Sequence, residues 1–290
     1  MPVTRFGVCC KKVVGNWSRT QRLNLTQQLE QGVRYVDMRS AYLASERDFF
    51  FVHGLYGPKV SELLKMVARF LDAHPREVVV LDFNHTYFDG QGESEKDVGD
   101  RFWKMVVDIL GEKMFPIYGE GQQDADGNPL CRNGVLTIGL HDFWKQNKQI
   151  LAISSGDITH KGRSYFWPER YISSPWFDTD STATLVKKLN GRFAGCKRSQ
   201  LNVFQGILSP QNVTIAVNFM KTLEDVLCDK ADQAVHNWLQ DVYEARREGV
   251  NIVICDFVGK SDLVRSVLRL NEIIGVGGTE KGYLVGKGGM

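Results

Sequence analysis

Apolar runs of strand length recur along this chain, and between them apolar positions step by three and four. The runs fall at residues 33–38, 49–52, 78–83, 150–153, 201–208 and 251–255, rich in β-branched and aromatic side chains as strands are. Helical spacing covers 20–31, 59–74, 95–110, 182–189, 230–247 and 262–274, and His74-Pro75 stops the second of these because the residue before proline is pushed out of the helical region. Strand, helix and strand in alternation predict parallel pairing through right-handed crossovers, hence an α/β domain. Residues 119–134 are polar and glycine-rich and read as a surface loop. No repeat or linker interrupts the pattern, so a single domain is expected over 1–274, followed by a flexible, glycine-rich tail at 275–290.

The candidate strands run into polar residues. Asp37 and Arg39 follow the first, His53 the second, Asp82 with Asn84 and His85 the third, then Ser154-Ser155, Gln205 and Asp256. In a closed parallel barrel such ends converge on one face, whereas an open doubly wound sheet spreads them along an edge. Potentially catalytic groups on well-separated strands favour the barrel. No glycine-rich phosphate loop follows the first strand, which argues against nucleotide binding. Strict alternation puts Asp82 and Asn84 on one side of their strand and turns His85 away, as a structural residue. An acid, a guanidinium and an imidazole at neighbouring strand ends suit phosphodiester chemistry.

With 36 basic and 34 acidic residues the formal charge is +2, which gives no nucleic-acid-binding surface and leaves a small-molecule or lipid ligand. The six cysteines show no CxxC pair or framework and read as reduced thiols of an intracellular protein. Cys9-Cys10 beside Lys11-Lys12 are two ordinary thiols or, alternatively, a palmitoylation site. No segment reaches the ~20 apolar residues of a membrane span. The expected location is cytoplasmic, peripheral at membranes.

Taken together, Trp17, Thr20-Gln21, Asn24, Thr26, Gln28-Leu29, Gly32-x-Arg34-Tyr35-x-Asp37-x-Arg39, Val52-His53-Gly54-Leu55 and the run from Glu77 to His85 resemble the phosphatidylinositol-specific phospholipase C X-domain-containing proteins. The likeness continues through Phe166-Trp167-Pro168, Ser174-Pro175-Trp176 and the run from Asn251 to Val258. It implies a TIM-type (β/α) barrel, a phosphoinositide or related phosphodiester substrate, and transient contact with a membrane surface. Cleavage needs a base for the inositol 2-hydroxyl, an acid for the diacylglycerol oxygen and positive charge on the phosphate. The resemblance gives His53 the acid's role and Arg39 the phosphate, with an Arg39 ion pair to Asp37 or Asp48 as the alternative. Asp37 is expected to orient Arg39 or the inositol, and Asp256 a catalytic histidine; each could instead cap a loop. Asp82 and Asn84 are expected to face the pocket, and Tyr165 and Trp167 to wall it or else to pack in the core.

Arg39 and Phe83 stand where calcium-dependent relatives of the resemblance carry acidic ligands, so no metal or other cofactor is expected. The family's first barrel strand, with its Gly-Ser-His-Asp type motif and first catalytic histidine, finds no match here. The expectation is therefore a truncated barrel lacking its first strand, a phosphoric diester hydrolase by descent but inactive as written. A non-catalytic phosphoinositide-binding or regulatory barrel is the alternative. A glycerophosphodiesterase barrel fits less well, since it needs an acidic metal-binding pair where Asp37-x-Arg39 stands.

Overall fold

The structure is a computed structural model that describes residues 8–88, 92–117, 131–132, 135–155 and 164–275. Helices α1 (Val8–Ser18) and α2 (Leu25–Glu30) precede β1 (Tyr35–Leu43), β2 (Asp48–His53), β3 (Leu55–Lys59), α3 (Val60–Ala73), β4 (Val79–Tyr87) and α4 (Glu95–Leu110). A short ribbon of β5 (Cys131–Arg132) and β6 (Val135–Leu136) leads to α5 (Leu140–Lys145), β7 (Ile150–Ser154), β8 (Phe166–Pro168) and β9 (Ile172–Ser173). Then come α6 (Thr182–Ala194), β10 (Leu201–Gln205), α7 (Asn212–Val217), α8 (Asp229–Glu244), β11 (Ile252–Ile254), α9 (Leu263–Arg269) and α10 (Asn271–Gly275). Of the described residues, those of Arg34–Tyr171 form one compact unit and those of Thr4–Val33 and Ile172–Met290 another.

In the first unit a sheet of order β3-β2-β1-β4-β7-β8 is parallel from β1 to β8. The apolar stripe of α3 buries Val60, Leu64, Val67, Phe70 and Leu71, and that of α4 buries Val98, Phe102, Trp103, Val106 and Leu110. Phe83 points into this helical layer, fully buried and edge-on to Phe102, Trp103 and Phe166. The turn after α3 is closed by buried Gln149, whose Nε2 donates to the carbonyls of Leu71 (3.0 Å), His74 (2.9 Å) and Glu77 (3.3 Å). Backbone N–H groups of His74 and Glu77 also reach Leu71 O and His74 O, so the Gln149 amide adds a second donor to the carbonyls of this turn.

The second unit pairs β9, β10 and β11 in parallel. Its core gathers Trp17, Leu185, Leu189, Phe204, Val235, Trp238 and Leu239. At the end of β10 the backbone of Gly206 donates to Ile254 O at 2.9 Å, so close that a Cβ there would lie 2.9 Å from the same oxygen.

Several expectations change. β1 does not stop at Met38 but runs on to Leu43, and residues 49–52 are not a parallel barrel strand: β2 returns antiparallel, with Ser40 opposite Phe51 and Tyr42 opposite Phe49. The physical reason is the link between them, residues 44–47, which is far shorter than the crossover that parallel pairing needs. The helix expected over 20–31 shortens to α2 because Asn24 and Gln27 form a reciprocal capping box, each side chain accepting from the other's backbone N–H. The helix expected over 262–274 divides into α9 and α10. Most of the 119–134 loop and the tail beyond 275 lie outside the described residues, as do the side chains of Cys9 and Cys10. No described helix is long and apolar enough to cross a membrane.

Candidate active site

Alternation along β1 gives Tyr35, Asp37 and Arg39 one face of the sheet. The parallel neighbour β4 brings Asp82 directly beside Asp37. The four groups interlock. Arg39 Nη2 donates to Asp37 Oδ2 at 3.0 Å, and its Nε lies 3.3 Å from both carboxylate oxygens. Tyr35 Oη donates to Asp82 Oδ2 at 2.6 Å, and the side chain of Asn84 hydrogen-bonds the same carboxyl. Of the partners the sequence offered Arg39, the structure selects Asp37, while Asp48 pairs with Lys59 at 2.6 Å.

The electrostatics follow from burial. Asp82 is only 2% exposed, and its pKa is pushed up to about 6, first by desolvation and then by the negative charge of Asp37, with Tyr35, Asn84 and Arg39 pulling the other way. Desolvation works against the Arg39 cation too, but Asp37 outweighs it and the guanidinium ends above its ordinary pKa. Arg39 is thus a fixed, oriented positive charge on a half-buried face, able to grip a phosphate through two N–H groups at once. Asn84 Oδ1 is buried without a hydrogen-bond partner, an acceptor suited to a ligand hydroxyl.

The other expected site residues are less uniformly placed. His53 ends β2, which pairs with β1 as far as Ser40 opposite Phe51, two residues short of His53. Asp82 is too buried to present a face to a ligand and instead holds Tyr35 and Asn84. Trp167 is a correction: it is 1% exposed, its indole N–H donates to Phe115 O at 3.1 Å, and its ring packs on Phe115 and Tyr171. That leaves no wall for a ligand. Half-buried Tyr165 precedes β8, at the sheet edge two strands from β4. Asp256 belongs to the second unit, just past β11, where its charge bears on the Cys255 thiol; that thiol is raised to about 12, mainly by desolvation.

Phe83 faces the helices, so its identity has no bearing on ligands for the Arg39 face. Among the described residues no group of three or more His, Cys, Asp or Glu side chains is placed to hold a metal ion.

Two residues of this face escaped the sequence reading. Tyr35 was legible as the third member of the alternating set. His85 was not, because it depends on an irregularity in the pairing of β1 with β4: Asp37 stands opposite Asp82, yet Arg39 stands opposite His85. β4 spends three residues where β1 spends two, which is a β-bulge. Cross-strand partners share a face, so His85 stands with Arg39 and does not turn away. Its ring lies 6.2 Å from that of Tyr87, whose phenol contributes to the charge environment of Arg39.

No family model matches the chain. It is 31% identical over 268 residues to PI-PLC X domain-containing protein 2 of Mus musculus, covering 91% of this chain and 72% of that protein. It is 29% identical over 279 residues to PI-PLC X domain-containing protein 3 of Homo sapiens, covering 95% of this chain and 80% of that one. Among solved structures, phosphatidylinositol-specific phospholipase C from Listeria monocytogenes superposes with a TM-score of 0.61 at 15% identity, over 91% of this chain and 86% of that chain. The Staphylococcus aureus phosphatidylinositol-specific phospholipase C gives 0.59 at 14% identity, over 92% and 87%. These likenesses carry the fold, an α/β TIM-type barrel of the kind seen in the bacterial phospholipases. The identity and coverage with the curated relatives carry the kinship: the chain belongs to the family of PI-PLC X domain-containing proteins.

Proposed function

We propose that this protein is a phosphoric diester hydrolase that cleaves phosphatidylinositol-type lipids by acid–base chemistry without a metal. The observation that carries the reading is the Asp37–Arg39 pair on one sheet face with Tyr35, Asp82 and Asn84. Arg39 binds the phosphate and stabilises the charge that builds on it, Asp37 holds the guanidinium in place, and His53 gives a proton to the departing diacylglycerol oxygen. Asn84 and Tyr165 contact the head group, and Asp82 positions Tyr35 and Asn84. A guanidinium beside Asp37 supplies the positive charge that a cation would otherwise bring and repels a cation from the same carboxylate. The reading takes 1–274 as one catalytic domain that works in the cytoplasm and touches membranes transiently.

The test is hydrolysis of phosphatidylinositol in solution and in vesicles, with and without EGTA, by the wild type, Arg39→Ala and Arg39→Lys. Turnover should be indifferent to EGTA and fall ~10²- to 10³-fold in Arg39→Ala, as when a transition-state donor is removed. Lysine should restore little, because it lacks the fork. A loss in EGTA that calcium reverses would refute the metal-free mechanism. Head-group binding without turnover would instead favour a non-catalytic phosphoinositide-binding barrel.

A further inference from the structure

We propose that His85 is a further catalytic residue of this face, the base that takes the proton of the attacking inositol hydroxyl. The proposal rests on the hydrolase reading above. The β4 bulge sets His85 opposite Arg39, so an imidazole stands beside the guanidinium that would hold the phosphate. β2 and β4 flank β1, so the strands that carry His53 and His85 lie on either side of the Arg39 strand. A phosphodiester on Arg39 then lies between two imidazole-bearing strands.

The other described groups of this face are poorly suited to the task. Asp82 is buried, with its carboxyl engaged by Tyr35 and Asn84, and Asp37 is held by Arg39. Tyr35 commits its hydroxyl proton to Asp82. His85 is exposed and brings an imidazole, the side chain most often used for general acid–base work. Among the described residues, the charged and titratable groups on its side of the sheet are Arg39 and Asp37 on β1 and Tyr87 on its own strand; β7 ends at Ser154, and Ser155 Oγ donates to Asn84 O at 3.0 Å. Bulges are over-represented beside active sites because they re-aim side chains. Here one adds an imidazole to the face that strict alternation would remove.

The step balances. The hydroxyl oxygen forms a bond to phosphorus as its proton passes to neutral His85, and the bond from phosphorus to the diacylglycerol oxygen breaks as that oxygen takes a proton from the His53 imidazolium. The products are a cyclic inositol phosphate and diacylglycerol, and solvent returns both histidines to their starting states.

Two substrates separate base from acid: phosphatidylinositol, and an inositol 4-nitrophenyl phosphate whose leaving group departs as its anion. His85→Asn and His85→Gln should lower kcat ~10²-fold or more on both substrates and abolish the acidic limb of the kcat–pH profile. His53→Ala should lose turnover only on the lipid. His141→Asn, on the exposed start of α5, controls for loss of a histidine as such, and melting curves report folding. In the wild type, the His85 ring resonance should shift when inositol cyclic phosphate is added. Wild-type kcat in both folded variants, a loss confined to KM, or an unmoved resonance would overturn the base. No turnover by the wild type on either substrate would overturn the hydrolase reading and the base with it, whereas turnover that survives in the variants overturns the base alone.

Discussion

Asp82 is a carboxyl kept out of water at a cost that can be measured. Its pKa is raised to about 6 by burial, against an ordinary value of 3.8. Between those two values the native state holds the proton more tightly than the unfolded chain, so stability falls as pH rises. Each pKa unit is worth about 1.4 kcal/mol, which makes the full loss about 3 kcal/mol, complete above roughly pH 7. Between pH 4 and pH 7.5 it amounts to about 2.4 kcal/mol, because the unfolded carboxyl is already partly ionised at pH 4. Asp82→Asn removes the titration and keeps an acceptor for the Tyr35 hydroxyl, and its new amide can donate to the unpartnered Asn84 Oδ1. The variant should therefore gain about 2 kcal/mol over wild type on going from pH 4 to pH 7.5. Urea unfolding of both proteins at the two pH values gives that difference directly, free of every other group's titration. A stability difference that does not change with pH, or a wild-type Asp82 carboxyl resonance that titrates near 4, would refute the argument that burial dominates this group. Reduced turnover alongside the added stability would identify Asp82 as a residue kept charged for function.

Two further outcomes test the packing around the sheets. Gly206→Ala should destabilise by ~1 to 3 kcal/mol by urea unfolding, because its Cβ would meet Ile254 O at 2.9 Å and Val235 at 3.0 Å; an unchanged midpoint would mean that β10 and β11 part at no cost. Gln149→Leu removes the side-chain donor shared by three carbonyls at the end of α3, two of which keep a backbone donor, and should cost ~1 to 2 kcal/mol, with faster amide exchange over residues 71–79, and unaltered exchange there would show that solvent replaces the amide freely.

The legible part of the fold was the part that local spacing controls. α4 runs over the residues its periodicity marked, and α3 falls one residue short at each end, where Lys59 and His74 act as caps. The parallel pairing of β1, β4 and β7 was also readable from strands alternating with helical stretches, whereas β8 was not expected as a strand. The hairpin was less so, although the short link after Leu43 carried the information: few residues can only return antiparallel. In the site, Asp37, Arg39, Asp82 and Asn84 could be grouped from alternation alone. Trp167 could not be assigned, because an aromatic ring in a strand suits a ligand wall and a core equally well. The carbonyl of Phe115, distant in sequence, is what satisfies its N–H.

By itself the sequence determined where the main helices and strands lie, that the sheet would be largely parallel, and which acid and guanidinium would lie side by side on β1, since those follow from periods of 3.6 and 2 within one element; short elements such as α5, β3, β8 and β9 went unread. Only the tertiary structure decided where β1 ends, how deeply Asp82 is buried and which way His85 faces. These are set by pairing between strands about forty residues apart. One extra residue in β4 reverses the facing of everything beyond it, and no pattern within a single strand records that shift.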